Sequence, residues 1–129
     1  MIIYTIGYAG RKLSRFIEFL RDLGINVVID VRRFPRSKYE GFNREELEEI
    51  LPEHGLEYVY LGDLLGGFRR SGYEKFMESS EFKKGIEKVM KIAKRKKVVL
   101  MCRERSYKWC HRKYIAEALE FKGYKIIHL

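Results

Sequence analysis

Glutamine is absent from this chain of 129 residues, threonine occurs once, and asparagine and proline occur twice each. Poverty in side-chain amides beside 35% charged residues is a composition found in proteins from hot environments. Only two cysteines are present, which excludes a disulfide-stapled scaffold. Two cysteines in an intracellular chain read as thiols, yet intracellular disulfides occur in thermophiles, so a Cys102–Cys110 bridge stays open. No apolar run approaches the roughly 18 residues that a membrane-crossing helix requires. The opening Met1-Ile2-Ile3-Tyr4-Thr5-Ile6-Gly7 has no basic segment and is too short for a secretory signal. A cytoplasmic protein without membrane contact is therefore expected. Repeats, low-complexity tracts and linkers are also missing, and the length suits one domain over residues 1–129.

What is present alternates between short β-like runs and longer helical ones. Ile2 to Ile6, closed by Gly7 and Gly10, predicts a first strand. Leu13, Phe16, Ile17 and Leu20 recur at helical spacing, and Gly24 marks the stop. Val27-Val28-Ile29-Asp30-Val31 reads as a buried parallel strand, which cannot continue through Pro35. Asn43 with Glu46 three residues on is a capping-box start for a helix to about Leu51. Leu56 to Leu61 predicts a third strand, and Leu65-Gly66-Gly67 breaks the chain again. Phe76 to Ala93 has helical spacing with a break near Ser79-Ser80. Val98 to Cys102 is the fourth strand, Cys110 to about Lys122 a helix, and Lys125 to Leu129 a fifth strand. Strands separated by helices imply right-handed βαβ crossovers. The expected fold is α/β, a single three-layer domain whose mostly parallel sheet of about five strands is flanked by helices.

The net charge is +9, and it is unevenly spread. Residues 1–93 carry 16 Lys/Arg against 15 Asp/Glu, whereas residues 94–129 carry 11 against 3. A cationic field over that last third favours an anionic partner, either a small molecule or a nucleic acid. A merely solvated cationic face is the alternative reading.

Ligands of open α/β sheets bind outside the carboxyl ends of the strands, and three loops of this chain belong there. Gly7-Tyr8-Ala9-Gly10-Arg11 is a small-residue turn that fits neither a dinucleotide fingerprint nor a P-loop. The second loop follows Asp30, which with Arg32 and Ser37 reads as an acid/base carboxylate beside a phosphate clamp. The alternative reading of the same residues is a structural Asp30–Arg32 ion pair with Ser37 capping a turn, behind the functional one because three arginines and a lysine crowd this short loop. The third, after Cys102, is the densest: Arg103, Glu104, Cys110, His111 and Arg112 surround one strand-to-helix junction. Cys102 is a nucleophile candidate, because guanidinium groups and a helix N-terminus lower a thiol pKa; packing as a small apolar side chain is the other reading. Glu104 and Arg112 are expected to form a charged pair at the pocket wall. Zinc held by Cys102, Cys110, His111 and a carboxylate is a further option, weakened because there is no Cys-x2-Cys and because Cys110 and His111 on one helix would point about 100° apart. No metal and no cofactor are expected.

The succession Thr5-Ile6-Gly7, Asp30-Val31-Arg32 with Pro35 and Ser37, Leu64-Leu65-Gly66-Gly67, Met101-Cys102-Arg103-Glu104 and Cys110-His111-Arg112 resembles the domain-of-unknown-function 488 family. The resemblance runs from Tyr4 to His128 and implies the fold more than an activity. It departs at Tyr8-Ala9, where the family often has a His-Ser pair, which leaves His111 as the leading imidazole ahead of His54 and His128. Two functions follow as expectations. One is a domain that binds or processes an anionic, phosphate-containing ligand. Its catalytic candidates are Asp30, Cys102, Glu104 and His111, and its binding candidates Arg32, Ser37, Gly66, Gly67, Arg103, Cys110 and Arg112. The other is a non-catalytic nucleic-acid module whose basic last third meets phosphates while Tyr8, Tyr39, Tyr107 and Trp109 stack on bases.

Overall fold

A computed structural model describes residues 1–129. Five strands, β1 (Ile2–Gly7), β2 (Val27–Asp30), β3 (Glu57–Tyr60), β4 (Val98–Cys102) and β5 (Lys125–His128), form one sheet in the order β3-β2-β4-β1-β5. Every pairing is parallel, with Val28 opposite Val99, Tyr4 opposite Val99 on the other side, and Thr5 opposite His128. The central strands read as continuous apolar runs because both their faces are covered. All residues of β2 and of β4 are buried.

Side-chain alternation divides the core in two. Ile3, Ile29, Val98, Leu100 and Cys102 face one layer, with Phe82, Ile86, Ile115 and Leu119. That layer holds α3 (Gly62–Leu65), α4 (Tyr73–Phe76), α5 (Ser80–Ala93) and α6 (Arg112–Phe121). Tyr4, Ile6, Val28, Val99 and Met101 face the other, against Phe16, Leu20, Leu47 and Leu51 of α1 (Leu13–Asp22) and α2 (Arg44–Glu53). This is the expected three-layer architecture, with the sheet wholly parallel.

The expected break in the long helical stretch falls between α4 and α5, where Ser79 Oγ accepts from the Phe82 N–H at 3.1 Å and caps α5. The Asn43 N–H donates to Glu46 Oε1 at 3.3 Å, closing the start of α2. The last helix departs from expectation. It begins at Arg112 rather than Cys110, because Tyr107–Trp109 form a 3₁₀ turn and Cys110 is extended, at φ −135° and ψ 151°.

Beside the β5 edge of the sheet, Thr5 of β1 joins Arg112 to His128. Arg112 Nη1 donates to Thr5 Oγ1 at 3.0 Å, and Thr5 Oγ1 lies 2.5 Å from His128 Nδ1. The hydroxyl accepts from Arg112 and still has a second lone pair and its own proton, so it can pair with either tautomer of the His128 ring. Burial, and then the Arg112 charge, hold the His128 pKa below its ordinary value. The unfolded chain then takes up a proton first as pH falls, so stability is present above about pH 6.5 and declines below it. Denaturant midpoints at about pH 7.5 and about pH 5.5 should show that decline, and it should shrink in His128→Gln. An undiminished decline in the variant would remove His128 from the account. The remainder belongs to His111, which is shifted the same way.

Candidate functional site

A cleft of about 730 Å³ opens at the carboxyl end of the sheet. Its walls come from Tyr8 after β1, the β2–α2 loop, the α3–α4 loop with Tyr73, and the segment from Cys102 to Tyr114. Cations crowd it. Arg32, Arg33, Arg36, Arg69, Arg103, Lys108 and Lys113 line it, and Glu104 is its one acidic residue. Arg32 is already neutralised, so six cations face a single carboxylate.

Asp30 does not reach the cleft. Its side chain turns to the α1/α2 face, wholly buried, and is saturated there. Arg32 gives Oδ1 its N–H at 3.0 Å and its Nε–H at 2.9 Å, and gives Oδ2 an Nη2–H at 2.7 Å. Tyr58 Oη donates to Oδ2 at 2.5 Å. Arg32 Nη1 donates to the Phe42 carbonyl at 2.6 Å and to Tyr8 Oη at 3.1 Å. Burial alone would lower the Arg32 pKa, but the bonds and charge of Asp30 reverse this and raise it. Burial and then the same carboxylate raise the Tyr58 phenol, which stays protonated. Of the two readings of this loop, the geometry matches the structural ion pair. Ser37 matches it as well: its Oγ accepts from Tyr39 N–H at 3.0 Å and its N–H donates to Asn43 Oδ1 at 2.7 Å.

Glu104 and Arg112 are adjacent, but not as a charged pair. Arg112 is fully buried and donates through Nη2 to the main-chain oxygens of Glu104, at 2.6 Å, and Arg105, at 3.4 Å. The carboxylate of Glu104 instead lies 4.0 Å from Cys102 Sγ. Arg112 thus holds the loop after β4 by its carbonyls. Burial, only partly offset by Glu104, lowers its pKa to about 10, which leaves it charged at neutral pH. Its Nε finds no partner.

Cys102 and Cys110 meet sulfur to sulfur as a disulfide pair, so of the alternatives left open by the sequence the structure takes the bridge. His111 is tucked behind them. Its Nε2 lies 2.7 Å from the Val31 carbonyl oxygen, an acceptor only, so Nε2 carries the proton. Burial lowers its pKa, outweighing that bond and the Glu104 charge, and keeps the ring neutral. The glycines are spacers. A Cβ on Gly66 would collide with the Arg33 backbone, and one on Gly67 would stand 3.1 Å from His111 Nδ1.

The cleft therefore gathers Arg32, Arg103, Glu104, Gly67, Cys102, Cys110 and His111. Asp30, Ser37, Gly66 and Arg112 act behind its wall. The expected stacking residues also sort differently. Tyr8 is buried against Phe42 with ring centroids 4.4 Å apart, Tyr39 packs edge-on to Tyr8, and Tyr107 stacks on His128 at 3.6 Å. Only Trp109 stands free, 82% exposed, and Phe34 and Phe68 join it on the rim at 62% and 84%. Phe68 holds a left-handed backbone, φ 58°, unusual for a bulky side chain. Its carbonyl accepts from Arg33 Nη1 at 2.5 Å. The basic last third does not form one surface. Lys94 to Lys97 precede β4 and lie at the opposite end of the sheet, where Lys96 pairs with Glu57. Arg33, Arg36 and Arg69 come instead from the near-neutral part of the chain. Gly67-Phe68-Arg69-Arg70, an aromatic flanked by arginines after a glycine break, was the sequence signal for that wall.

Fold and site together define a three-layer, all-parallel α/β domain with a cationic, aromatic-rimmed cleft at the carboxyl end of its sheet. The family described as Domain of unknown function DUF488 matches residues 12–119, and the chain belongs to that family. No curated protein and no solved structure matched it. None of its helices is long and apolar enough to cross a membrane.

Proposed function

We propose that the protein binds a phosphate-bearing ligand with a flat ring, a nucleotide either free or within a single strand, in this cleft. The observation that carries the reading is the charge imbalance of the lining, six unneutralised cations against one carboxylate. Such a concave cationic surface concentrates phosphate. Three exposed aromatics on its rim supply the second half of the match, since every base offers a π-face for stacking. An exposed phenylalanine held at positive φ supports it further, because strained backbone that packing does not need collects at functional sites. The reading is one of recognition. Three of the four groups expected to carry chemistry are engaged elsewhere, Asp30 by Arg32, the Cys102 thiol by Cys110 and His111 Nε2 by Val31, and Glu104 alone faces the cleft.

Trp109 is the only tryptophan in the chain and reports directly on the rim. Titration with a single-stranded oligonucleotide at low ionic strength should quench its fluorescence. With three to five phosphate contacts, the affinity should fall with salt at a log–log slope of roughly −2 to −3.5. Phe68→Gly separates binding from stability. Glycine accepts φ 58° freely, so the melting temperature should hold or rise while affinity drops about tenfold or more for the lost stacking. No quenching at low salt would end the proposal. Parallel losses of stability and affinity would make Phe68 a packing residue.

A further inference from the structure

Two sulfurs and a carboxylate converge on one point of the cleft wall, and an imidazole stands beside one of the sulfurs. One donor atom each from Cys102, Glu104 and Cys110 lies within 4.8 Å of both others. His111 Nδ1 lies 3.7 Å from Cys110 Sγ. Because Nε2–H is spent on the Val31 carbonyl, Nδ1 offers a lone pair on the side of the sulfurs. Metal-bound histidines show this arrangement, the outer nitrogen donating to a carbonyl or carboxylate that fixes tautomer and ring orientation.

The spacing suits a cation. Donors at 2.0–2.3 Å from a tetrahedral zinc ion stand about 3.3–3.8 Å from one another. Cys102 Sγ to Glu104 Oε2, at 4.0 Å, and Cys110 Sγ to His111 Nδ1, at 3.7 Å, are close to that. The two sulfurs, bonded here, move apart on reduction. The Cα atoms of Cys102 and Cys110 are 7.6 Å apart, wider than the 4.4–6.8 Å usual for directly bonded cysteines. Thiolates that share a metal ion stand further apart than bonded sulfurs, so this backbone spacing accommodates them without movement. The objection raised by the sequence, that Cys110 and His111 diverge on a helix, does not apply, since both precede α6 and Cys110 is extended. Sulfur and imidazole donors select against magnesium and calcium and for zinc-class ions.

We propose that with its thiols reduced the protein binds one zinc-class divalent cation through Cys102, Cys110, Glu104 and His111. On binding, the two thiols release their protons to solvent and the cation joins the end of β4 to the start of α6. The proposal does not depend on the nucleotide reading, although the site shares a wall with that cleft.

The test uses the full chain, reduced and held without oxygen, titrated with cobalt(II). One equivalent should produce the strong visible bands of a tetrahedral cobalt site and near-ultraviolet thiolate-to-cobalt charge transfer, and zinc should displace both. Cys102→Ser should lose much of the charge-transfer band and bind cobalt at least about a hundredfold more weakly, more than the loss of an outer partner costs. Glu104→Gln, at a half-exposed position, keeps the proposal testable should the cysteine variant fail to fold. It should retain the thiolate band and weaken cobalt about tenfold or more. Sulfurs that stay joined under reductant would overturn the proposal. So would reduced protein without the thiolate band, or a band unchanged in Cys102→Ser.

Discussion

Asp30→Asn is expected to destabilise the protein by about 3–5 kcal/mol, the usual cost of breaking a buried ion pair from one side. At this chain length that corresponds to roughly 10–20 °C in melting temperature. The carboxylate accepts four hydrogen bonds, three from Arg32 and one from Tyr58. An amide keeps the shape, yet it presents a donor to at least one of those donors and leaves a guanidinium buried without its counter-charge. The loss should be largely cancelled in Asp30→Asn with Arg32→Met, where no charge remains, and a double-mutant cycle measures this. A single variant within about 1 kcal/mol of wild type would mean that the pair is solvated in solution.

Arg112→Ala is expected to cost about 3–5 kcal/mol by a different route. The guanidinium fills wholly buried space and donates to Thr5 Oγ1 and to the carbonyls of Glu104 and Arg105. Alanine leaves a cavity and two carbonyls without their donor. Because those carbonyls belong to the loop that carries Trp109, Arg112→Ala should also abolish quenching by oligonucleotide at temperatures where the fold persists. Arg112→Lys should recover only part of the stability, since a single ammonium cannot serve a fork of acceptors. Urea unfolding of both variants, with fluorescence titration of each, checks the two effects separately. Unaltered quenching by a folded Arg112→Ala protein would show that the loop keeps its shape without the guanidinium.

How much of this could be read from residues depended on whether the controlling interaction was local. The strands were legible because Val27–Asp30 and Val98–Cys102 are unbroken apolar runs, and burial on both faces demands that pattern. The Asp30–Arg32 pair was legible as one of two readings, since residues two apart on an extended segment share a face. Its four-donor saturation was not, because Tyr58 arrives from the neighbouring strand. The onset of α6 was misplaced by two residues, as the 3₁₀ turn at Tyr107–Trp109 leaves no periodic trace. Charge misled in a more general way. Counting along the chain put the cations in the last third, but a cleft collects residues by loop, and Arg33, Arg36 and Arg69 join it from elsewhere. The exposure of Phe34 and Phe68 is a tertiary fact, for the same residues in another loop would have been core.

The order β3-β2-β4-β1-β5 also governs when the protein is able to fold. β1 is the first strand to be synthesised, yet its two neighbours are β4 and β5, with Tyr4 paired to Val99 and Thr5 to His128. Until Val98–Cys102 have been made, Ile3, Tyr4 and Ile6 have no strand to join. β2 and β3 pair across a much shorter loop and are able to form early. A nascent chain therefore exposes an apolar first strand while the β2, β3 and α5 segments are made, the condition under which chains depend on holdase chaperones or rapid completion.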